Sequence, residues 1–265
     1  MDIKRRTFTS SILAATAAVA LPATVKAATS PPPQASNVVL VHGLFADGSS
    51  WSEVIPILQA RGLNVTSVQN PLTTLPEAVQ ACYKVLDRQK GPTVLVGHSF
   101  SGMIVTEAGI HHNVSSLVYV AARAPDADED YVALAAKYPS PPASAGIVFD
   151  GDEGRLTEEA YLKDFAPDLP DHKARALYAV QWPFRKSLLK GRASSAAWRS
   201  KPSYYAVSSH DRVINPDLQR FMAKRMNART IEVDASHVSL LSHPKEISDL
   251  VLEAAGLTTD PRTYK

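Results

Sequence analysis

From Asn37 onward, unbroken apolar runs alternate with segments whose apolar positions recur every three or four residues. The run "NVVLVHG" closes on a glycine, the pattern of a strand buried on both faces. "SWSEVIPILQARG" has helical spacing, and Gly62 suits its C-terminal stop. "NVTSVQNP" reads as a second strand, "LPEAVQACYKVLDRQKG" as a helix from near Pro76 to Gly91, and "PTVLVGHS" as a third buried strand. "FSGMIVTEAGIHH" follows as a helix and "VSSLVYVAA" as a fourth strand. "KPSYYAVSSHD", "PDLQRFMAKRM", "RTIEVDASH" and "PKEISDLVLEAAG" continue the same order. Strands alternating with helices predict right-handed crossovers, hence an α/β fold with a mostly parallel, doubly wound sheet.

The alternation stops between about 123 and 199. That stretch holds "PSPPAS", two acidic turns and short amphipathic pieces such as "LTEEAYLKDFA" and "HKARALYAVQW". It leaves the core pattern after one strand and rejoins it before another. The expectation is an inserted helical cap over the C-terminal edge of the sheet, where open α/β sheets place their ligands. The acidic run "DADED" (126–130) lacks the glycine and distal glutamate of a calcium loop and reads as a solvated surface.

The chain of 265 residues is long enough for one large domain, assigned to 37–257. Before it, "MDIKRR" is basic, "SSILAATAAVAL" is mildly apolar, and "VKA" ends at Ala27 with small residues suited to cleavage. Residues 1–27 therefore read as a secretory signal, too short in its apolar run for a stable membrane anchor. Arg5-Arg6 followed by Thr7-Phe8 resembles a twin-arginine signal, which implies the twin-arginine export machinery as a partner and a periplasmic or secreted protein. "ATSPPPQAS" (28–36) is a stiff polar linker, and 258–265 a C-terminal tail. The signal carries four cations against one acid, so the formal net charge of +2 becomes about −1 without it. No later cluster of Lys and Arg has interleaved aromatics, so nucleic acid is set aside as a partner. A single cysteine, Cys82, excludes an internal disulfide and a cysteine-based zinc site, and its helical apolar spacing assigns it to the core.

Candidate chemistry begins at "VGHSFSG" (96–102). Ser99 follows an apolar strand and precedes a helix, the context of a nucleophile turn in the G-x-S-x-G style. Gly97 supplies one small shoulder. Ser101 stands where the second glycine is usual, and Gly102 lets the helix lie close to the sheet. A serine needs a base, and the base needs an orienting acid. Asp211 falls just past the strand of "YYAVSSHDRVINP", and His237 just past the strand of "TIEVDASHVSLLSHP". In a parallel sheet all three strand ends share one edge, and the order Ser, Asp, His is that of α/β-hydrolases. Asp234 lies within or beside its strand and Asp217 in a helix, so both are less well placed than Asp211. His98 reads as a packed, hydrogen-bonded turn residue, His111 and His112 as a helix end, and His210 and His243 as loop residues. No pair of histidines has metal-ligand spacing on one element. The backbone N–H groups of Leu44, in the loop "HGLFADGSSW", and of Phe100 are the candidate oxyanion donors. Phe100, Tyr131, Trp182 and Trp198 are candidate lining residues of an apolar substrate pocket.

"VVLVHGLFADGSSW", "PTVLVGHSFSG", "AAWRSKPSYYAVSSHDR" and "SHVSLLSHPKE" together resemble bacterial α/β-hydrolases related to plant methyl-salicylate esterases and hydroxynitrile lyases. The resemblance spans essentially 37–257. It implies an α/β-hydrolase fold and a cofactor-free, metal-free serine hydrolase acting on a small ester. Residue by residue it assigns catalysis to Ser99, Asp211 and His237, with Leu44 and Phe100 at the oxyanion. The lyases of this group carry threonine after the first-strand histidine and lysine after the triad histidine. Gly43 and Val238 stand at those positions here. The expectation is an exported carboxylic ester hydrolase. The other two readings are a lyase on the same scaffold and a ligand-binding protein with an idle triad. Neither the substrate nor the oligomeric state follows from the sequence.

Overall fold

The computed structural model describes residues 34–257, so the signal, most of the linker and the C-terminal tail lie outside the described residues. Four strands precede the cap: β1 (Asn37–Val41), β2 (Asn64–Val68), β3 (Thr93–His98) and β4 (Val114–Val120). Three lie within it: β5 (Ile147–Asp150), β6 (Glu153–Leu156) and β7 (Phe184–Arg185). Two follow: β8 (Ser203–Ser208) and β9 (Arg229–Val233). The main sheet has the order β2-β1-β3-β4-β8-β9, with every pair parallel. The central strands β1 and β3 are buried at every position, which is why they read as unbroken apolar runs. The edge strands β2 and β9 are only partly buried and correspondingly more polar.

The helix Val54–Ala60 packs with Pro244–Ala254, and Leu75–Leu86 packs with Gly102–Ala108. Leu75–Leu86 shows how local chemistry sets an element. Thr74 Oγ1 accepts from the N–H of Glu77, whose carboxylate in turn accepts from the Thr74 hydroxyl, closing the first turn. Its buried positions Leu75, Ala78, Val79, Cys82 and Leu86 repeat at three- and four-residue steps. Cys82 is fully buried, and burial pushes its thiol up to about 12, so it is an inert core residue as its spacing implied.

The insertion between β4 and β8 differs from the purely helical cap that its pattern suggested. Besides helices such as Asp171–Val180 it contains the antiparallel sheet β5-β6-β7. The hairpin turns at Gly151-Asp152, with Gly151 at φ 55. A two-residue Gly-Asp loop is a hairpin signal, and in the sequence it stands inside what reads as an acidic turn. The 126–130 run is also less open to solvent than expected. Asp126 pairs with Arg199, Glu129 with Arg225 and Asp130 with Arg192, so these carboxylates pin the cap's entry segment. His111 and His112 do not end a helix. The helix Gly102–Ala108 stops before them, and His111 instead bonds Asp87 in a turn, 3.1 Å away.

Three polar contacts tie the cap to the loops at the C-terminal edge of the main sheet. The Tyr161 hydroxyl donates to the carbonyl of Phe45 at 2.9 Å. Arg212 Nε donates to Asp164 at 2.6 Å, and the Ser236 N–H to Asp168 at 2.8 Å. The cap segment 161–168 thus touches the β1, β8 and β9 loops at once.

Candidate active site

Strand β3 ends at His98, and Ser99 adopts φ 58, a left-handed backbone that L-residues rarely occupy. Such a turn lifts the side chain clear of the sheet edge and starts a helix at once, here through the short 3-10 turn Ser99–Ser101 into Gly102–Ala108. The turn is crowded. A Cβ on Gly97 would come within 2.6 Å of Val105 and 3.0 Å of the Ser101 carbonyl oxygen, so a glycine is required there. Ser101 itself has φ −66 and needs no glycine, which explains how the motif tolerates its side chain.

The edge of the parallel sheet brings Ser99, Asp211 and His237 together. The Ser99 hydroxyl lies 2.8 Å from His237 Nε2. His237 Nδ1 lies 2.7 Å from Asp211 Oδ2. A carboxylate only accepts, so Nδ1 carries the proton and Nε2 is free to accept from the serine. The His237–Asp211 pair is fully shielded from water, and Ser99 is only 5% exposed.

Asp211 is held from four directions. Its Oδ1 accepts from the N–H groups of Val213 at 2.7 Å and Ile214 at 3.0 Å. Its Oδ2 accepts from His237 and from Gln219 Nε2 at 2.6 Å. Gln219 was not picked out in the sequence. Its Oε1 also accepts from the Ser208 N–H at the end of β8, locking the acid loop to its strand. The available signal was a polar residue on the buried face of Pro216–Arg225, beside Leu218, Met222 and Ala223.

The rival acids stand elsewhere. Asp234 is exposed and pairs with His210 at 2.6 Å, and Asp217 pairs with Arg220 on the surface. His98 donates through Nε2 to the His237 carbonyl at 2.9 Å, and its ring lies 4.7 Å from the His237 ring. Burial, with His237 adding to it, holds His98 well below its ordinary range, so it is a neutral spacer behind the imidazole.

The β1 loop approaches Ser99 closely. A Cβ on Gly43 would lie 2.7 Å from the Ser99 Cβ and 3.0 Å from the His98 carbonyl oxygen. Leu44 follows, buried, and Phe45 turns the loop away with φ 61. Among the described residues, neither the Leu44 N–H nor the Phe100 N–H donates to a protein acceptor. The cap covers this corner with aromatics: Phe165 packs 5.9 Å from Phe45 and 5.2 Å from the His237 ring.

Of the four aromatic candidates, Phe100 and Tyr131 are buried, and both lie against Arg123, whose main-chain N–H donates to the Ser99 carbonyl at 2.9 Å. Trp182 and Trp198 are not part of this group. Trp182 is 70% exposed, beside a cavity of about 430 Å³ that it shares with His42, Asp47 and Asn70. Trp198 donates to the Pro125 carbonyl at 2.7 Å and lies under Arg199 and Arg225, an anchor for the cap entry. Their apolar faces suggested a pocket, but packing and cation–π contacts account for Trp198.

Residues 38–250 match the alpha/beta hydrolase family. The chain belongs to that family. A pyrethroid hydrolase from Sphingobium wenxiniae is 23% identical to this α/β-hydrolase over 257 residues, covering 86% of this chain and 90% of the relative. An alpha-hydroxynitrile lyase from Arabidopsis thaliana is 25% identical over 245 residues, covering 80% of this chain and 94% of the relative. The crystal structure of polyneuridine aldehyde esterase superposes with a TM-score of 0.71 at 19% identity, covering 83% of this chain and 99% of that one.

Proposed function

We propose that this α/β-hydrolase cleaves carboxylic esters with Ser99 as nucleophile, His237 as general base and then acid, and Asp211 as the orienting carboxylate. The observation that carries the reading is the hydrogen-bonded chain Ser99–His237–Asp211, at 2.8 and 2.7 Å, on a strained turn. His237 Nε2 takes the proton of Ser99 as Oγ attacks the ester carbonyl carbon. The oxyanion that forms accepts from the spare N–H groups of Leu44, in the loop after β1, and Phe100, the residue after the nucleophile. The tetrahedral adduct collapses, the C–O bond to the alcohol breaks, and His237 passes its proton to the departing oxygen. Water then repeats the sequence on the acyl-serine and releases the acid.

Ester hydrolysis is favoured over cyanohydrin cleavage by two positions. The clearance at Gly43 leaves no room for a threonine side chain on this backbone. Val238 is buried and uncharged, so a departing cyanide would have no cation there. The similarity to a pyrethroid hydrolase supports the same reading, since pyrethroids named for that relative are cleaved by a hydrolase. The test offers the protein an aryl acetate and an aromatic cyanohydrin in parallel. Ester turnover with an acyl group on Ser99 by mass spectrometry, both abolished in Ser99→Ala, is the expected result. Cyanide release dependent on Ser99 with no ester turnover would replace hydrolase by lyase, and an inert folded protein would leave only binding.

Export completes the proposal: the basic, apolar, small-residue order of residues 1–27 supports a twin-arginine signal and a periplasmic or secreted enzyme.

A further inference from the structure

Arg123 is the first polar residue after β4, at the sheet edge that carries Ser99. Its main chain is fixed to the Ser99 turn by the bond from its N–H to the Ser99 carbonyl, 2.9 Å long. Its guanidinium lies against two rings, 4.5 Å from the centroid of Tyr131 and 5.4 Å from that of Phe100. One nitrogen touches the Met103 sulfur at 4.0 Å, and Nε is sealed from solvent with no acceptor. Among the described residues no carboxylate pairs with it, whereas eight other arginines do form ion pairs. A half-buried cation without a counter-ion is costly, and two ring faces offset only part of that. Phe100 meanwhile offers its N–H to the reacting carbonyl and its ring to this cation. The residue is thus fixed next to the Ser99 turn and against the Phe100 ring, and the partner it lacks is an anion.

We propose that Arg123 recognises a carboxylate carried by the ester substrate, so that the preferred substrates are half-esters of short dicarboxylic acids. The proposal rests on the ester-hydrolase reading above. Phe100 and Tyr131 both pack against the guanidinium, and a carboxylate would meet the N–H groups that the protein leaves without an oxygen acceptor. Burial pulls the guanidinium below its ordinary range, yet an arginine in such a site stays charged and gains most from an anion that arrives desolvated.

The test compares monomethyl succinate, glutarate and adipate with the matching half-amide methyl esters, which have the same shape without the charge. Wild-type kcat/KM is expected to favour the charged ester by at least about tenfold for the best chain length, equivalent to ~1.4 kcal/mol. Arg123→Gln should abolish that preference, mainly through KM, and leave the neutral half-amide within about threefold. Arg123→Lys should keep part of it. Because the guanidinium has no counter-ion among the described residues, Arg123→Gln should melt no lower than the wild type. A structural role predicts the opposite: a lower melting temperature and equal losses on both esters. That result, or no charge preference in the wild type, overturns the proposal. Glutarate binding to Ser99→Ala, lost in Ser99→Ala combined with Arg123→Gln, reads the same contact without turnover. Glutarate binding with no ester cleavage would retain the anion site and remove the hydrolase. Cleavage of neutral esters with no glutarate binding would do the reverse.

Discussion

The Ser101 hydroxyl lies 2.7 Å from the carbonyl oxygen of Val41, tying the Ser99 turn to the end of β1. It also lies 2.8 Å from the His98 carbonyl, and its one proton serves either acceptor. The residue that departs from the usual motif thus braces the turn against the strand whose loop carries Leu44. Ser101→Gly should fold, since the backbone there is ordinary. It should lose about 1 kcal/mol for the buried hydrogen bond and roughly 0.5–1 kcal/mol in backbone entropy. Activity should stay within about tenfold. Denaturant melts and kcat/KM on one ester check both; a folded variant without activity would give the hydroxyl a direct part in the chemistry.

Asp211→Asn should be far more damaging than Asp234→Asn. The first removes the charge that faces His237 and puts an amide where only an acceptor fits. A loss on the order of several powers of ten in kcat is expected. Asp234 meets His210 and the Ser209 hydroxyl on the surface, so its asparagine variant should stay within about twofold. Equal activities in the two variants would reassign the acid.

Gln219→Glu isolates the brace behind Asp211. Glutamate can still accept from the Ser208 N–H, but it cannot donate to Asp211 Oδ2 and sets a second acid against it. The expected outcome is a kcat lower by about ten- to a hundredfold with KM little changed, as for a residue that acts through another. Stopped-assay kinetics on a folded sample decide it. Wild-type kcat in Gln219→Glu would reduce Gln219 to packing.

Export should fail when Arg5 and Arg6 are both changed to lysine. A twin-arginine route needs the pair itself, whereas a general secretory route reads charge and hydrophobicity, which lysine preserves. Fractionation of cells expressing the full chain gives the answer, and unchanged export would point to the general route.

The fold class, the parallel alternation, the place of the cap and the Ser99–Asp211–His237 trio were legible in the chain because each depends on local pattern. Strands buried on both faces read as apolar runs, and a parallel sheet delivers every strand end to one edge, so residue type and position after a strand suffice. Gln219 had no such mark, since its role arises only when the turn after Asp211 brings the helix Pro216–Arg225 back against the carboxylate. The β5-β6-β7 sheet was hidden because its strands are short, its first two are joined by a Gly-Asp turn that resembles any acidic loop, and β7 lies a helix away in sequence. Trp198 misled for the converse reason: a large apolar side chain states that it will be covered, and only the tertiary structure says by what. Arg123 shows the limit most directly. An arginine in a sequence is a surface charge until the fold surrounds it. That no carboxylate pairs with it among the described residues is a matter of three-dimensional packing that one residue's neighbours in sequence do not encode.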